Sequence, residues 1–243
     1  MDPVDAARSL IEERYPECLA AFAGGSLMRG EGTSTSDIDL LVVTTRQDAP
    51  FRESLIAFDW PVEAFVHTQA SCLDFFQRDA RGRSPVLPTI CVEGATLRNV
   101  DGVADRLRRV ALAVLERGPA PLAQAELDRR RYLLTDLLDD LLGSTDADES
   151  AFIAHDLAVQ ATNLILACQG QWEGRGKWLL RNLRQVNPDL ARALTVSLRL
   201  LCLLDRKDAL IAYAEGALAQ AGGRLWEGYF ARPEDAPPTP LGG

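Results

Sequence analysis

The chain has 243 residues, a formal net charge of −9 at pH 7 and a hydrophobic content of 47%. This apolar content is enough for packed cores in one large domain or two modest ones. The acidic balance argues against a general nucleic-acid binder, which usually has a basic surface, so we expect small-molecule partners and no nucleic acid.

The ends and the cysteines of the chain bear on its location. The N-terminus lacks a basic region followed by an apolar one, so we expect no ordinary signal peptide. We see no run of about 20 apolar residues, so we expect no membrane partner. The five cysteines lie far apart without metal-ligand spacing, which predicts reduced thiols in a cytoplasmic protein. The sequence leaves the oligomeric state open.

Residues 1–100 alternate between helical and strand patterns and predict an α/β (α+β) domain with a mixed sheet. A helix begins at Asp2 or Pro3 and ends near Arg14, before Tyr15-Pro16. A short helix is expected within 24–30 and a longer one over 70–81. The expected strands lie near 18–23, 37–43, 53–58 and 62–67 and within 89–98.

From about residue 103 onward the apolar residues recur with a period of 3.6, which predicts an all-α helical bundle domain over residues 101–231. The last segment, residues 232–243, contains four prolines and few residues that could be buried, so we expect it to be a disordered tail. The expected helices are 103–117, 122–142, 148–169, 176–185, 188–204 and 207–221.

The most informative motif is Gly24-Gly25-Ser26, followed after ten further residues by Asp37-Ile38-Asp39. Residues i and i+2 of a strand point to the same face, so Asp37 and Asp39 leave the strand together. Paired carboxylates suit Mg²⁺, which takes oxygen ligands and shares its shell with substrate phosphates. The glycine turn ahead of them can present backbone N–H groups to an anion. The alternative is a solvated strand start.

A third carboxylate, Glu63, lies in the apolar run Val62 to Val66. A charge in such surroundings needs a partner, because an unpaired buried charge is costly. Glu63 is therefore a candidate metal ligand or general base for an attacking hydroxyl. The alternative is an edge-strand carboxylate that faces water. His67, on the same face, is read as a polar residue at the strand end.

Together, Gly25-Ser26, Asp37-x-Asp39 and Glu63 resemble the motif of the polymerase-beta-like nucleotidyltransferase superfamily. Residues 25–29 and 36–41 are most similar to the aminoglycoside adenylyltransferases, which share the expected two-domain layout. The resemblance implies transfer of a nucleoside monophosphate from a nucleoside triphosphate. It also implies that Asp37 and Asp39 hold Mg²⁺, and that Ser26 and Arg29 contact the triphosphate. Arg29 could equally be an ordinary surface arginine.

A basic stripe is predicted on the helix over 176–185, where Lys177, Arg181 and Arg184 stand at i, i+4 and i+7. In so acidic a chain this stripe suggests a bound anion, and we expect Lys177 and Arg181 to support the triphosphate. Lys177 ranks above Arg184 because it stands at the helix start, where the helix dipole favours anions. The alternative is a solvated helix face.

An acidic group, Asp136, Asp139 and Asp140, could attract a cationic acceptor. The sequence thus predicts a nucleotidyltransferase that moves AMP from the co-substrate ATP to a hydroxyl of a small acceptor, with an aminoglycoside as one candidate, using Mg²⁺ and releasing pyrophosphate. The alternatives are a regulatory or antitoxin-like nucleotide-binding module, and nucleotidylation of a protein or tRNA. No motif that reads the nucleotide base is visible, and the acceptor is not identified.

Overall fold

The computed structural model describes residues 1–232, and its contacts divide the chain into two units, Met1–Ala120 and Pro121–Gly243. The boundary differs from the expected one at 100/101, because helix α4 (Val103–Arg117) packs against the sheet of the first unit. The expected disordered tail lies outside the described residues, apart from Arg232.

In the first unit, the chain alternates between helices and strands as the sequence predicts. The N-terminal helix is capped by Asp2, whose side chain accepts a hydrogen bond from the backbone N–H of Val4, with Pro3 at its first position. In chain order the elements are α1 (Pro3–Arg14), β1 (Ala20–Gly24), β2 (Ile38–Val43), β3 (Phe51–Ala57), β4 (Trp60–His67), α2 (Gln69–Arg81), α3 (Val86–Glu93), β5 (Ala95–Asn99) and α4.

The five described strands form one mixed sheet in the order β3-β4-β2-β1-β5. Strands β2 and β4 are parallel, and the other neighbouring pairs are antiparallel. The hairpin from β3 to β4 turns through Phe58 and Asp59, which both have positive φ, as a two-residue turn of this hand requires. The mixed sheet expected from the sequence is confirmed.

The central strands are buried on both faces, which explains their nearly continuous apolar sequences. One face, with Leu40 and Val42 of β2 and Ala64 and Val66 of β4, packs against α1. The alternate residues lie on the opposite face, where α2, α3 and α4 contact the sheet. Asp39 and Glu63 belong to this second face by their position in the alternation.

One expectation for this unit is wrong, and one helix was not expected. Residues 26–30 form turns instead of a short helix, closed by hydrogen bonds from Gly30 N to Leu27 O and from Glu31 N to Ser26 O. The strand expected within 89–98 is present as β5, which starts at Ala95, and the unexpected helix α3 occupies the beginning of that segment. A short apolar run suits a buried helix as well as a strand, so periodicity alone does not separate them.

The second unit is helical throughout its regular elements in the described residues, as the sequence predicts. Its core is rich in leucine and alanine and is contributed by all of its helices, including Leu138, Leu164, Leu183, Leu201 and Leu218. The helices are α5 (Gln124–Gly143), α6 (Ala147–Cys168), α7 (Lys177–Val186), α8 (Pro188–Leu204) and α9 (Asp208–Gln220).

Helix α6 bears on the expectation that no run of the chain is apolar enough to cross a membrane. It has 22 residues and a mean hydropathy of 1.4 over its most apolar window, so it is long and apolar enough to cross a membrane by length and composition. Its residues Leu157, Ala161, Leu164 and Ile165 are buried in the core of the second unit. This central packing position accounts for its apolar composition.

Candidate active site

The sheet brings two of the three predicted carboxylates side by side. Asp39 on β2 and Glu63 on β4 are register partners in the parallel ladder. Both strands are central, and both side chains are half-buried. The spacing between these two residues is therefore set by backbone hydrogen bonds between neighbouring strands.

Asp37 completes a cluster of three carboxylates. It precedes β2 and is exposed, and one oxygen from each of Asp37, Asp39 and Glu63 lies within 4.8 Å of the others. Three oxygen donors with room for water and phosphate oxygens match what Mg²⁺ prefers in proteins. The residues present therefore fit a divalent cation, as the sequence predicts.

The cluster also carries an electrostatic cost. At an effective dielectric constant near 20, two unit charges about 5 Å apart repel by on the order of 3 kcal/mol. One counter-charge comes from Arg52 on the edge strand β3, whose Nη2 donates a hydrogen bond to Oε1 of Glu63. The same guanidinium lies 5.2 Å from the centre of the Phe65 ring.

The glycine turn stands directly beside these carboxylates. Gly24, the last residue of β1, is the register partner of Asp39. Gly25 follows with φ of +91°, and an ideal Cβ built on it would lie 2.7 Å from Oδ2 of Asp39. A side chain at position 25 would therefore displace the carboxylate, and the backbone there adopts a conformation that glycine tolerates.

The loop between β1 and β2 is tied together at its base. The hydroxyl of Ser26 lies 3.0 Å from that of Ser36, whose oxygen also accepts a hydrogen bond of 2.9 Å from Thr33 N. Because Ser36 immediately precedes Asp37, this contact links the glycine turn to the start of the carboxylate motif. The arrangement can hold an anion on one side of a cation bound by the carboxylates.

A comparison with protein families finds a match for the segment that contains the site. Residues 5–67 match the family model for a nucleotidyltransferase domain. The match runs from α1 to the end of β4 and contains all three carboxylates. A comparison with curated proteins finds no match.

Among solved structures, the chain is similar to a nucleotidyltransferase-like protein from Exiguobacterium sibiricum 255-15. The two share 14% sequence identity with a TM-score of 0.48, over 90% of this chain and 77% of that one.

Arg29, in the loop between β1 and β2, is held by acidic neighbours. Its Nη1 donates a 3.1 Å hydrogen bond to Oε2 of Glu93, and its Nε lies 3.6 Å from Oε2 of Glu31. The side chain is 23% exposed. A contact between Arg29 and a triphosphate stays a prediction.

His67 is packed inside the first unit, in line with its interpretation as a polar strand residue. The ring is buried, its Nδ1 lies 3.3 Å from the hydroxyl of Ser71, and it meets the Phe75 ring edge-on. Burial lowers the pKa of His67, which keeps the imidazole neutral. Glu63 lies in the carboxylate cluster and is the better candidate for the general base.

The predicted basic stripe lies on α7 in the second unit. Lys177 and Arg184 are exposed, while the guanidinium of Arg181 lies 5.0 Å from the centre of the Trp178 ring. The buried side of the helix is formed by Leu179 and Leu183, so Trp178 lies with the stripe and not opposite to it. Triphosphate contacts from Lys177 and Arg181 stay predictions.

The acidic group on α5 is partly neutralised. Oδ1 of Asp139 accepts a 2.7 Å hydrogen bond from Nη1 of Arg224, which also pairs with Glu215. Asp136 is half-buried and Asp140 is exposed. Asp136 and Asp140 are therefore the better candidates for attracting a cation, and this role stays a prediction.

Arg52 is the site residue that the sequence analysis missed. The expected strand started at residue 53, which left Arg52 outside the sheet. A two-residue turn at Phe58-Asp59 would have set the register, because it pairs Ala57 with Trp60 and hence Ser54 with Glu63. Arg52 then lies on the same face as Glu63, two residues along β3.

Proposed function

We propose that this protein transfers AMP from ATP to a hydroxyl group of a small acceptor, with Mg²⁺ as cofactor and pyrophosphate as the leaving group. One observation carries the proposal, namely the cluster of Asp37, Asp39 and Glu63 beside the Gly25 turn in a nucleotidyltransferase domain. A purely regulatory nucleotide-binding module would not need all three carboxylates, so their presence favours the enzyme.

Each residue has a separate task in this proposal. Asp37 and Asp39 hold the cation, which when bound supplies charge neutralisation at the transferring phosphate. The backbone at Gly25 and the hydroxyl of Ser26 orient the triphosphate beside the carboxylates. Arg29, which also lies in the loop after the glycine turn, can add a positive charge near the phosphates.

Glu63 has two possible roles, metal ligand and general base. As the base, its carboxylate takes the proton from the acceptor hydroxyl while the hydroxyl oxygen attacks the α-phosphorus of ATP. The bond from that phosphorus to the bridging oxygen breaks, and pyrophosphate leaves. The two apolar neighbours Val62 and Ala64, both buried, restrict the carboxylate to the site face.

The acceptor class is inferred from charge. A protein with a net charge of −9 raises the local concentration of cationic molecules and repels polynucleotides. Aminoglycosides, which are cationic polyols, are therefore the acceptors to test first.

The experiment is a pyrophosphate-release assay with ATP, Mg²⁺ and a panel of hydroxyl compounds that includes streptomycin- and kanamycin-type aminoglycosides. Asp39→Asn should abolish Mg²⁺-dependent ATP binding in calorimetry, and Asp37→Asn should do the same. Asp74→Asn, on the exposed side of α2, is the matched control and should bind normally. Wild-type affinity for Mg²⁺ and ATP in both site variants would refute the assignment.

Glu63→Gln separates the two roles of that residue. If Glu63 is the base, ATP should still bind while turnover falls by about 10²- to 10⁴-fold, the usual contribution of a positioned base. Loss of ATP binding would identify Glu63 as a metal ligand instead. Unchanged turnover would reject both roles.

A further inference from the structure

The contact between Arg52 and Glu63 places a positive charge where the proposed cation would bind. Arg52 donates a hydrogen bond to Glu63, and Glu63 shares the cluster with Asp37 and Asp39. The Arg52 side chain is 61% exposed, while that of Glu63 is 19% exposed. The arginine can therefore swing into solvent, whereas the carboxylate is held by its strand.

The strand order assigns Arg52 to one side of the site. Across the sheet, the order β1, β2, β4, β3 places the Gly25 turn first, then Asp39, then Glu63 and last Arg52. If the triphosphate lies at the turn, the molecule that gives its proton to Glu63 must approach from the far side. That side is the exposed face of β3, which carries Arg52 and Ser54.

The Arg52 guanidinium and a divalent cation would compete for Oε1 of Glu63. Glu63 cannot give its full charge to the cation while Oε1 accepts from Arg52, and the two positive charges repel one another at this separation. Arg52 lies over the Phe65 ring at 5.2 Å, a contact that does not depend on Glu63. If Arg52 dissociates from Glu63, its guanidinium thus keeps the Phe65 ring as a partner on the same face of the sheet.

We infer that Arg52 neutralises Glu63 while no metal is bound. When a cation binds the carboxylates, Arg52 leaves Glu63 and binds an oxygen of the acceptor beside its reacting hydroxyl. The inference rests on the proposed nucleotidyl transfer. It makes the exposed face of β3 the acceptor subsite, with the guanidinium of Arg52 as its donor. When it is not bound to Glu63, the Arg52 guanidinium can donate hydrogen bonds but cannot accept them.

This donor defines the chemistry of the acceptor. A polyol with an oxygen on the carbon next to the reacting hydroxyl can accept from Arg52. An ammonium group at that carbon would be repelled by the guanidinium. An aminoglycoside fits this subsite when a hydroxyl-rich ring faces β3 and its ammonium groups lie farther away.

The first test is a titration of the protein with Mn²⁺, without nucleotide, followed by calorimetry. Arg52→Gln removes the competing charge and should tighten Mn²⁺ binding about 2- to 5-fold, the range expected for a largely exposed ion pair. Arg52→Lys keeps a charge and should stay closer to wild type. Unchanged or weaker Mn²⁺ binding in folded Arg52→Gln protein would overturn the exchange.

The chain offers a closely matched control. Arg46 is 49% exposed, pairs with Asp48, and lies 5.2 Å from the centre of the Phe51 ring. Arg46→Gln therefore removes an arginine with the same kinds of partners and should leave Mn²⁺ binding unchanged. Equal tightening in both variants would mean that net charge alone is responsible, and would also overturn the inference. Circular dichroism checks that each variant is folded.

The second test uses pyrophosphate release with cis-1,2-cyclohexanediol, cis-2-aminocyclohexanol and the aminoglycosides as acceptors. Arg52→Gln should raise the acceptor KM about tenfold and leave the KM for ATP unchanged, and the diol should react faster than the amino alcohol. An unchanged acceptor KM, or a preference for the amino alcohol, overturns the subsite. If no compound reacts even with wild-type protein, the proposed nucleotidyl transfer fails, and the Mn²⁺ titration still decides the exchange.

Discussion

Gly25 lies so close to Asp39 that a methyl group at position 25 would stand 2.7 Å from Oδ2 of the carboxylate. The two residues belong to different pieces of the motif, the glycine turn after β1 and the acidic strand β2. Their contact shows that the turn and the carboxylates form one structural unit. The lack of a side chain at position 25 therefore leaves room for the Asp39 carboxylate, a proposed metal ligand.

Gly25→Ala should abolish Mg²⁺-dependent ATP binding, because the added Cβ pushes the Asp39 carboxylate out of place. Gly30→Ala is the matched control, since Gly30 also has positive φ (+70°) but no atom would lie within 4 Å of its Cβ. Each substitution should cost about 1 kcal/mol of unfolding free energy from the backbone conformation alone. Calorimetry with ATP and Mg²⁺ distinguishes them, and equal binding in the two variants would contradict the role of the contact.

Lys177→Ala should weaken ATP binding more than Arg184→Ala does. Lys177 is the first residue of α7, where the helix dipole favours an anion, whereas Arg184 lies in its last turn. We expect a loss of about 3- to 10-fold in affinity, as for a charge-assisted contact to phosphate. The loss should shrink at high salt, because screening already weakens the contact. Small and equal effects of the two substitutions would identify the stripe as ordinary surface.

Neutralising Asp136 and Asp140 together should raise the KM of a cationic acceptor several-fold and leave ATP binding unchanged. Asp139→Asn serves as the comparison, since its carboxylate is already paired with Arg224, and it should change the acceptor KM less. Steady-state kinetics with an aminoglycoside measures both. Labelling of tRNA or of a protein from radioactive ATP, without reaction of any aminoglycoside, would refute this acceptor class.

Glu53 should make a pH-dependent contribution to the stability of the first unit. Hydrogen bonds from Arg14, and also from Tyr15, lower the pKa of Glu53, while its partial burial opposes them. The folded protein therefore holds this proton less tightly than the unfolded chain does. The resulting stability is present above the ordinary glutamate pKa of about 4.3 and is lost as the pH falls through the lower folded value.

Glu53→Gln should accordingly lower the free energy of unfolding by about 0.5 to 1 kcal/mol at pH 7, a range limited by the exposure of Arg14. The difference from wild type should shrink as the pH is lowered below about 4. Urea denaturation at pH 7 and pH 3 measures it, with exposed Glu12→Gln as the control. A difference that grows toward acid pH would contradict the assignment.

The carboxylate motif could be found from the sequence because the residues that suit a metal ion also follow the alternating pattern of a strand. Asp37 and Asp39 alternate with apolar residues, and alternation predicts a strand face. The sequence could not identify Arg52 as the partner of Glu63, since the pairing of two strands depends on the turn that joins them. The sequence indicates a turn near Asp59, but without a glycine it does not mark Phe58 and Asp59, which both have positive φ, as a two-residue turn.

Helix α3 was missed for a different reason. Its sequence from Val86 to Glu93 is a short apolar run, and burial against the sheet suits a helix as well as a strand. Pro88 lies in the first turn of this helix, where its missing N–H is tolerated. In the helix, the Ile90 side chain packs over Gly24, at 3.2 Å from an ideal Cβ on that glycine, a contact that periodicity does not reveal.

The parallel pairing of β2 with β4 also bears on how the site behaves in solution. Asp39 and Glu63 belong to two adjacent interior strands of the sheet, so their amide hydrogens should exchange with deuterium at the slow rate of global unfolding. Asp37 precedes β2 and is exposed, so it can adjust while the other two stay fixed. Two rigid donors and one adaptable donor would let the cluster accept cations of slightly different radius, such as Mg²⁺ and Mn²⁺, without opening the sheet.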